Sequence, residues 1–188
     1  MALTKTPVCD FGKKAEDFKL KSIDNKLISL NDIVGEKATL IMFICNHCPY
    51  VKAVIKDLVK DCNDLKNNGV NTVAIMSNDT KNYPDDSFEN MIKFAKENNF
   101  NSINYVIDET QEIAKKYNAV CTPDFFGYNK HLELQYRGRY RELRDLKPII
   151  NGNSDLKIAM KMITQTQKGP DEQIPSMGCN IKWKQQIK

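Results

Sequence analysis

Histidine, tryptophan and long apolar runs are all scarce in this sequence, and each shortage closes off a class of function. Only His47, His131 and Trp183 represent the first two residue types in 188 residues. A structural zinc site usually draws on two Cys or His pairs, and the sequence offers one closely spaced pair, Cys45 and Cys48. The longest apolar run, from Ala38 to Cys45, is broken at Thr39 and is far too short to cross a bilayer. Residues 1–8 hold no apolar stretch of signal-peptide length, so a cytoplasmic location is expected. No internal repeat or low-complexity tract stands out. A large charge of one sign is missing too: the formal net charge is +4, and basic residues alternate with acidic ones, as in Lys56-Asp57 and Lys60-Asp61. That pattern reads as solvated helix surface. The sharpest basic cluster, Arg137-Gly138-Arg139-Tyr140-Arg141 with Arg144, reads as a loop after a strand. Neither a nucleic acid nor a membrane is an expected partner.

The length suits one domain with decorations, and a hydrophobic fraction of 41% supports a full core without disulfide staples. Residues 18–20 and 27–30 read as two short strands joined by a turn-rich connection. Residues 39–44 form a run that is apolar from Leu40 onward, the mark of a strand buried on both faces. Then the period changes. Val51, Val54, Ile55, Leu58, Val59, Cys62 and Leu65 follow helical spacing, predicting an amphipathic helix from Pro49 to just before Gly69. Further strands are expected at 70–76, 105–107, 124–128 and 132–136, the last two forming a hairpin across Asn129 to His131. Helices are expected after an N-cap at Asp86, with Glu89 three residues on, then at 110–117 and at 154–164. This order implies an α/β layer fold with parallel and antiparallel parts. The expected division is a domain over 1–168 and a polar surface tail over 169–188.

The Cys45-Asn46-His47-Cys48-Pro49 segment falls where the buried strand feeds the helix. Disulfide exchange needs a thiolate, and a free thiol is mostly protonated at neutral pH. A helix N-terminus offers unpaired N–H groups and partial positive charge, which favour the anion. Pro49 suits the first turn, where its missing N–H costs nothing. Two intervening residues let one sulfur curl back to the other. Cys45 is therefore expected to attack and Cys48 to resolve. Asn46 and His47 would tune the couple, an imidazolium at 47 stabilising the Cys45 thiolate; the alternative is a His47 that points into solvent.

With these residues in view, the sequence resembles the thioredoxin superfamily, and within it the peroxiredoxin-like proteins of AhpC/TSA type. The resemblance is carried by Phe43 to Tyr50, Cys121 to Phe126, Tyr136 to Arg139 and Pro175 to Lys184. It implies a thioredoxin-like fold: a central mixed sheet flanked by helices, with an N-terminal hairpin and a C-terminal tail. It also implies that Thr122-Pro123 is a cis-proline loop facing the active site, whose backbone pairs with an incoming substrate chain. Departures are informative. Ile44 precedes Cys45, where thioredoxins proper have Trp, and His47 before the second cysteine resembles periplasmic disulfide oxidases. In the peroxiredoxin alignment Cys48-Pro49 matches the peroxidatic cysteine. Cys45 and Ile41 then stand where Thr and Pro are called for, and the active-site Arg falls near Pro123. The peroxidase pocket is thus missing from the sequence, and peroxide reduction is the alternative function.

Cys62 reads as a core residue and Cys9 as a passive thiol. Cys121 is either an inert buried thiol or a modulator of the pair. Cys179 is a resolving or regulatory thiol, or else exposed and passive. His131 is assigned to a surface turn. The function expected is thiol–disulfide exchange, acting on a disulfide protein or on a small thiol or peroxide. An upstream thiol reductase would supply electrons, and no cofactor is expected beyond the redox-active disulfide. The chain would be a monomer or homodimer. A copper or zinc chaperone using Cys45, His47 and Cys48, helped by Cys121, Cys179 or His131, is the remaining alternative.

Overall fold

The structure is a computed structural model that describes residues 2–185. Its strands are β1 (Leu3–Lys5), β2 (Lys19–Ser22), β3 (Leu27–Ser29), β4 (Ala38–Phe43), β5 (Val70–Met76), β6 (Ile103–Ile107), β7 (Cys121–Thr122), β8 (Asp124–Asn129), β9 (Leu134–Tyr136), β10 (Leu143–Arg144), β11 (Lys147–Pro148) and β12 (Met177–Asn180). The helices are α1 (Pro49–Lys66), α2 (Phe88–Glu97), α3 (Glu112–Lys116) and α4 (Asp155–Thr166). A seven-stranded mixed sheet runs β3-β2-β6-β5-β4-β8-β9, with β4, β5 and β6 parallel and the other pairings antiparallel. This is the thioredoxin-like mixed sheet that the sequence predicts.

The centre of the sheet is covered on both sides, which explains the apolar run. Leu40 and Met42 of β4 face one core with α1, α2 and α4, whereas Ile41 and Phe43 face a second core with α3. Alternate side chains on a strand point to opposite faces, so a strand buried on both must be apolar throughout. Helix α1 lays Val51, Val54, Ile55, Leu58, Cys62 and Leu65 on the first core. It stops at the turn where Gly69 takes φ +79°, a conformation that suits glycine.

Several boundaries differ from the sequence reading. Strand β6 begins at Ile103, and α3 is shorter than expected. Leu132 lies in the β8–β9 turn with φ 57°. The N-cap of α2 is Ser87, whose hydroxyl accepts from the Asn90 amide at 3.3 Å, and not Asp86. The C-terminal segment is not a surface tail. Strand β12 pairs with β1 on one side and β7 on the other, and Ser176, Cys179, Ile181 and Lys182 are all buried. Of the expected tail, residues 186–188 lie outside the described part. The basic cluster is also structural in part: Arg137 is buried against Asp124 at 2.9 Å, and Arg139 Nε holds Asp155 at 2.5 Å. Among the described residues, no helix is long and apolar enough to cross a membrane.

Candidate active site

Strand β4 ends at Phe43, and six residues later Pro49 opens α1. Cys48 is the N-cap of that helix, with extended backbone at φ −63° and ψ 122°, and its carbonyl accepts the Lys52 amide at 3.0 Å. Across from it the Thr122-Pro123 peptide is cis. Thr122 meets both sulfurs. Its hydroxyl lies 3.4 Å from Cys45 Sγ, and its carbonyl accepts from Cys48 Sγ at 3.1 Å. Cys45 and Cys48 are both buried.

The residue that organises the loop between them was read from sequence as a helix cap. Asp86 is fully buried, and its Oδ1 accepts the backbone amides of Asn46 at 2.8 Å and His47 at 3.3 Å. Its Oδ2 lies 2.6 Å from His47 Nδ1 and accepts from Asn78 Nδ2 at 2.8 Å. Asn46 is pinned as well: Nδ2 donates to the Asp85 carbonyl at 3.1 Å, and Oδ1 accepts from the Tyr105 hydroxyl at 2.9 Å. The His47 ring stacks on Tyr83. An Asp with Glu three residues on matches a capping pattern, but nothing local in the sequence links Asp86 to the cysteine loop.

These contacts set the charges. The hydrogen bond to Asp86 holds His47 above its ordinary pKa, against the cost of burial. Burial opposes the Asp86 charge, but the hydrogen bonds from His47 and Asn78 outweigh it and keep the carboxyl below its usual range. At Cys48 the hydrogen bond from Cys45 is the main cause of acidity. Working against burial, and helped by Thr122, the Val51 amide and Cys179, it brings the thiol down to about 5. Cys45 moves the other way, because its proton is held in a hydrogen bond toward Cys48, it is buried, and it faces the Asp86 carboxylate. The sequence reading put the anion on Cys45; that sulfur faces the Asp86 carboxylate, whereas Cys48 occupies the N-cap position of α1, where the helix's positive end favours a thiolate. His47 lies 3.9 Å from Cys45 Sγ, but its Nδ1 is committed to Asp86.

Replacing Asp86 by Asn is therefore expected to lower the His47 pKa, read by NMR titration of the imidazole. The stability that His47 draws from the pair is complete below its unfolded value near 6.5 and is lost as pH rises through the raised folded value. That dependence should vanish in the Asp86→Asn protein. An unmoved His47 titration would mean that the carboxylate does not hold the ring.

The remaining thiols divide clearly. Cys121 is buried, donates to the Pro123 carbonyl at 3.6 Å, and is pushed up mainly by burial. Cys62 packs in the α1 core and is raised to about 12 by burial. Cys9 is half-buried and raised to about 11, again chiefly by burial. Cys179, expected in a mobile tail, is instead buried on β12 opposite Thr122. Burial and then its hydrogen bond to Cys48 raise it to about 11. Among the described residues, Cys45, His47 and Asp86 bring potential metal-donor atoms within 4.8 Å of one another. Asp86 Oδ2 already engages His47 and Asn78, so a cation would have to break the ion pair. His131 lies in the β8–β9 turn, outside that group.

A sequence profile described as the AhpC/TSA family matches residues 11–141. The chain belongs to the AhpC/TSA family. Among solved structures, an uncharacterised conserved protein from Geobacillus kaustophilus is 41% identical, with TM-score 0.94 over 100% of this chain and 99% of that one. A hypothetical protein from Sinorhizobium meliloti is 33% identical, with TM-score 0.88 over 96% and 98%. A secreted disulfide oxidoreductase from Mycobacterium tuberculosis, homologous to E. coli DsbE, is 19% identical, with TM-score 0.53 over 63% and 80%, and shares the fold. No curated protein matches the chain. AhpC/TSA membership and the thioredoxin-like fold together support a redox function.

Proposed function

We propose that this AhpC/TSA protein is a thiol–disulfide oxidoreductase working through Cys45 and Cys48. One observation carries the proposal: at the N-terminus of α1 both cysteines are buried against Thr122 of the cis-proline loop, whose hydroxyl meets Cys45 Sγ at 3.4 Å and whose carbonyl meets Cys48 Sγ at 3.1 Å. The Cys48 anion attacks a substrate disulfide, forming a mixed disulfide and releasing one thiolate. Cys45 passes its proton to that leaving group and attacks the Cys48 sulfur. The second substrate thiol departs, and a Cys45–Cys48 disulfide remains. Two electrons have moved to the substrate, and an upstream thiol reductase restores the dithiol. In a reducing compartment such as the cytoplasm, the net direction is substrate reduction.

Mild oxidation of the native protein is expected to remove two of its six thiols and to give a Cys45–Cys48 cross-link on peptide mapping. Retention of all six, or a cross-link elsewhere, rejects the pair.

The acidity of Cys48 also favours a second reading, a thiol peroxidase. Peroxide would convert the Cys48 thiolate to a sulfenic acid, and Cys179, hydrogen-bonded to Cys48, would condense with it to give a disulfide and water. A Cys48–Cys179 cross-link after peroxide treatment would select this reading.

A further inference from the structure

We propose that the cavity beside Pro123 binds a low-molecular-weight disulfide carrying carboxylates, and that such a small anion, not an extended polypeptide, is the substrate. The proposal rests on the disulfide-exchange reading of Cys45 and Cys48 and names the substrate class for that site.

A peptide that added itself as a strand beside the cis-proline loop would find that edge taken. Cys179 stands opposite Thr122, and Asn180 opposite Cys121. The seat is tight. A Cβ on Gly178 would fall 2.1 Å from the Thr122 carbonyl oxygen, and the Ser176 hydroxyl donates to the Pro123 carbonyl at 2.7 Å. On its other side β12 is held by β1, with Leu3 opposite Cys179. Strand addition by a partner depends on a free edge, and here the chain's own C-terminal strand fills it.

The space left next to Pro123 has a definite size and charge. A cavity of about 220 Å³ lies against Pro123, Tyr50 in the first turn of α1, and Met177 of β12. On the bulk share of a water, that is room for about seven, enough for one half of a small disulfide. Lys5, Arg139 and Arg141 line it, and no acidic side chain does. Arg139 is engaged by Asp155. Arg141 gives Nη1 to the Ile149 carbonyl at 3.1 Å, but its buried Nε has no hydrogen-bond partner. A carboxylate matches the ammonium and guanidinium charges of this lining. Apolar walls from Tyr50 and Met177 suit a short aliphatic body beside that carboxylate, next to the Pro123 that follows the sulfur-contacting Thr122.

The test compares two small disulfides of similar size, dithiodipropionate with two carboxylates and the neutral hydroxyethyl disulfide. Each kcat/KM is normalised to that compound's reaction with free dithiothreitol, which also serves as the reductant. The native protein is expected to favour dithiodipropionate by about tenfold, and Lys5→Gln or Arg141→Gln to cut that ratio by a similar factor. Lys5 is exposed, so its variant reports even if the Arg141 variant does not fold. An equal ratio in native and variant proteins overturns the proposal. Binding of thiodipropionate, a thioether that cannot react, is measured by calorimetry on the same proteins. Binding that needs Lys5 and Arg141, with neither disulfide turned over, keeps the cavity and rejects the redox reading. No binding of thiodipropionate rejects the cavity.

Discussion

Serine at position 48 is expected to lower disulfide turnover by about a thousandfold or more, because it removes the nucleophile itself. Cys45→Ser should be as inactive over many turnovers, yet for a different reason: it can still form a mixed disulfide, which then has no neighbour to resolve it. Mass spectrometry of the trapped adduct separates the two variants. The acidity assigned to Cys48 adds a pH signature. In the native protein, kcat/KM should rise as pH passes through about 5, where the Cys48 thiolate forms, and level off well below neutrality. In Cys45→Ala the strongest acidifying hydrogen bond is gone, so thiolate formation, followed by ultraviolet absorbance, should move up toward the ordinary thiol range near 8.5. Two thiols this near each other in sequence and environment titrate together, so the observed midpoints belong to the couple until one member is removed. An adduct that forms on Cys45 in the Cys48→Ser protein, with undiminished rate, would falsify the assignment of attack to Cys48 and restore the sequence-based order.

The surroundings of the two cysteines show where sequence reasoning stops. The junction between β4 and α1 was legible because its signals are local: an apolar run buried on two faces, a change to helical spacing, and a proline at the first helical position. The mixed sheet followed from the order of such elements. The charges at the site were not legible, because they come from residues distant in the chain. Asp86 approaches Asn46 and His47 from the far end of the β5–α2 connection, and its capping-like spacing with Glu89 suggested a local duty that Ser87 performs. Strands β1, β7 and β12 were invisible for another reason. Leu-Thr-Lys, Cys-Thr and Met-Gly-Cys-Asn are too short and too polar to show alternation, and each is defined only by its partners. Cys179 therefore read as a thiol of a surface tail, whether resolving or passive, although β12 buries it opposite Thr122.

The buried pair under the cis-proline loop gives the largest expected loss of stability. Asp124 follows Pro123 directly and is fully buried; Arg137 reaches it with Nη2 at 2.9 Å, also donates to the Asn118 carbonyl at 2.7 Å, and lies 4.5 Å from the Phe126 ring. Removing one member of a buried ion pair leaves the other charge without compensation, so Arg137→Ala is expected to cost about 3–5 kcal/mol in denaturant unfolding. The loss should depend on pH in a stated direction. Burial already raises Asp124 to about 6, with Arg137 pulling the other way. Without the guanidinium the folded pKa climbs further above the unfolded value near 3.9, so the native state binds the extra proton and stability falls as pH rises through that interval. Arg137→Ala should consequently be less damaged at pH about 5 than at pH about 8, where Asp124 must either ionise alone or stay protonated at a cost. Because Asp124 anchors the strand that follows Thr122-Pro123, and Val120 donates to its Oδ2 at 3.3 Å, the defect should also loosen Thr122 from the two sulfurs. Turnover would then fall in the fraction that remains folded. A loss that is equal at both pH values would show that Arg137 acts through packing on Phe126 and not through the charge of Asp124.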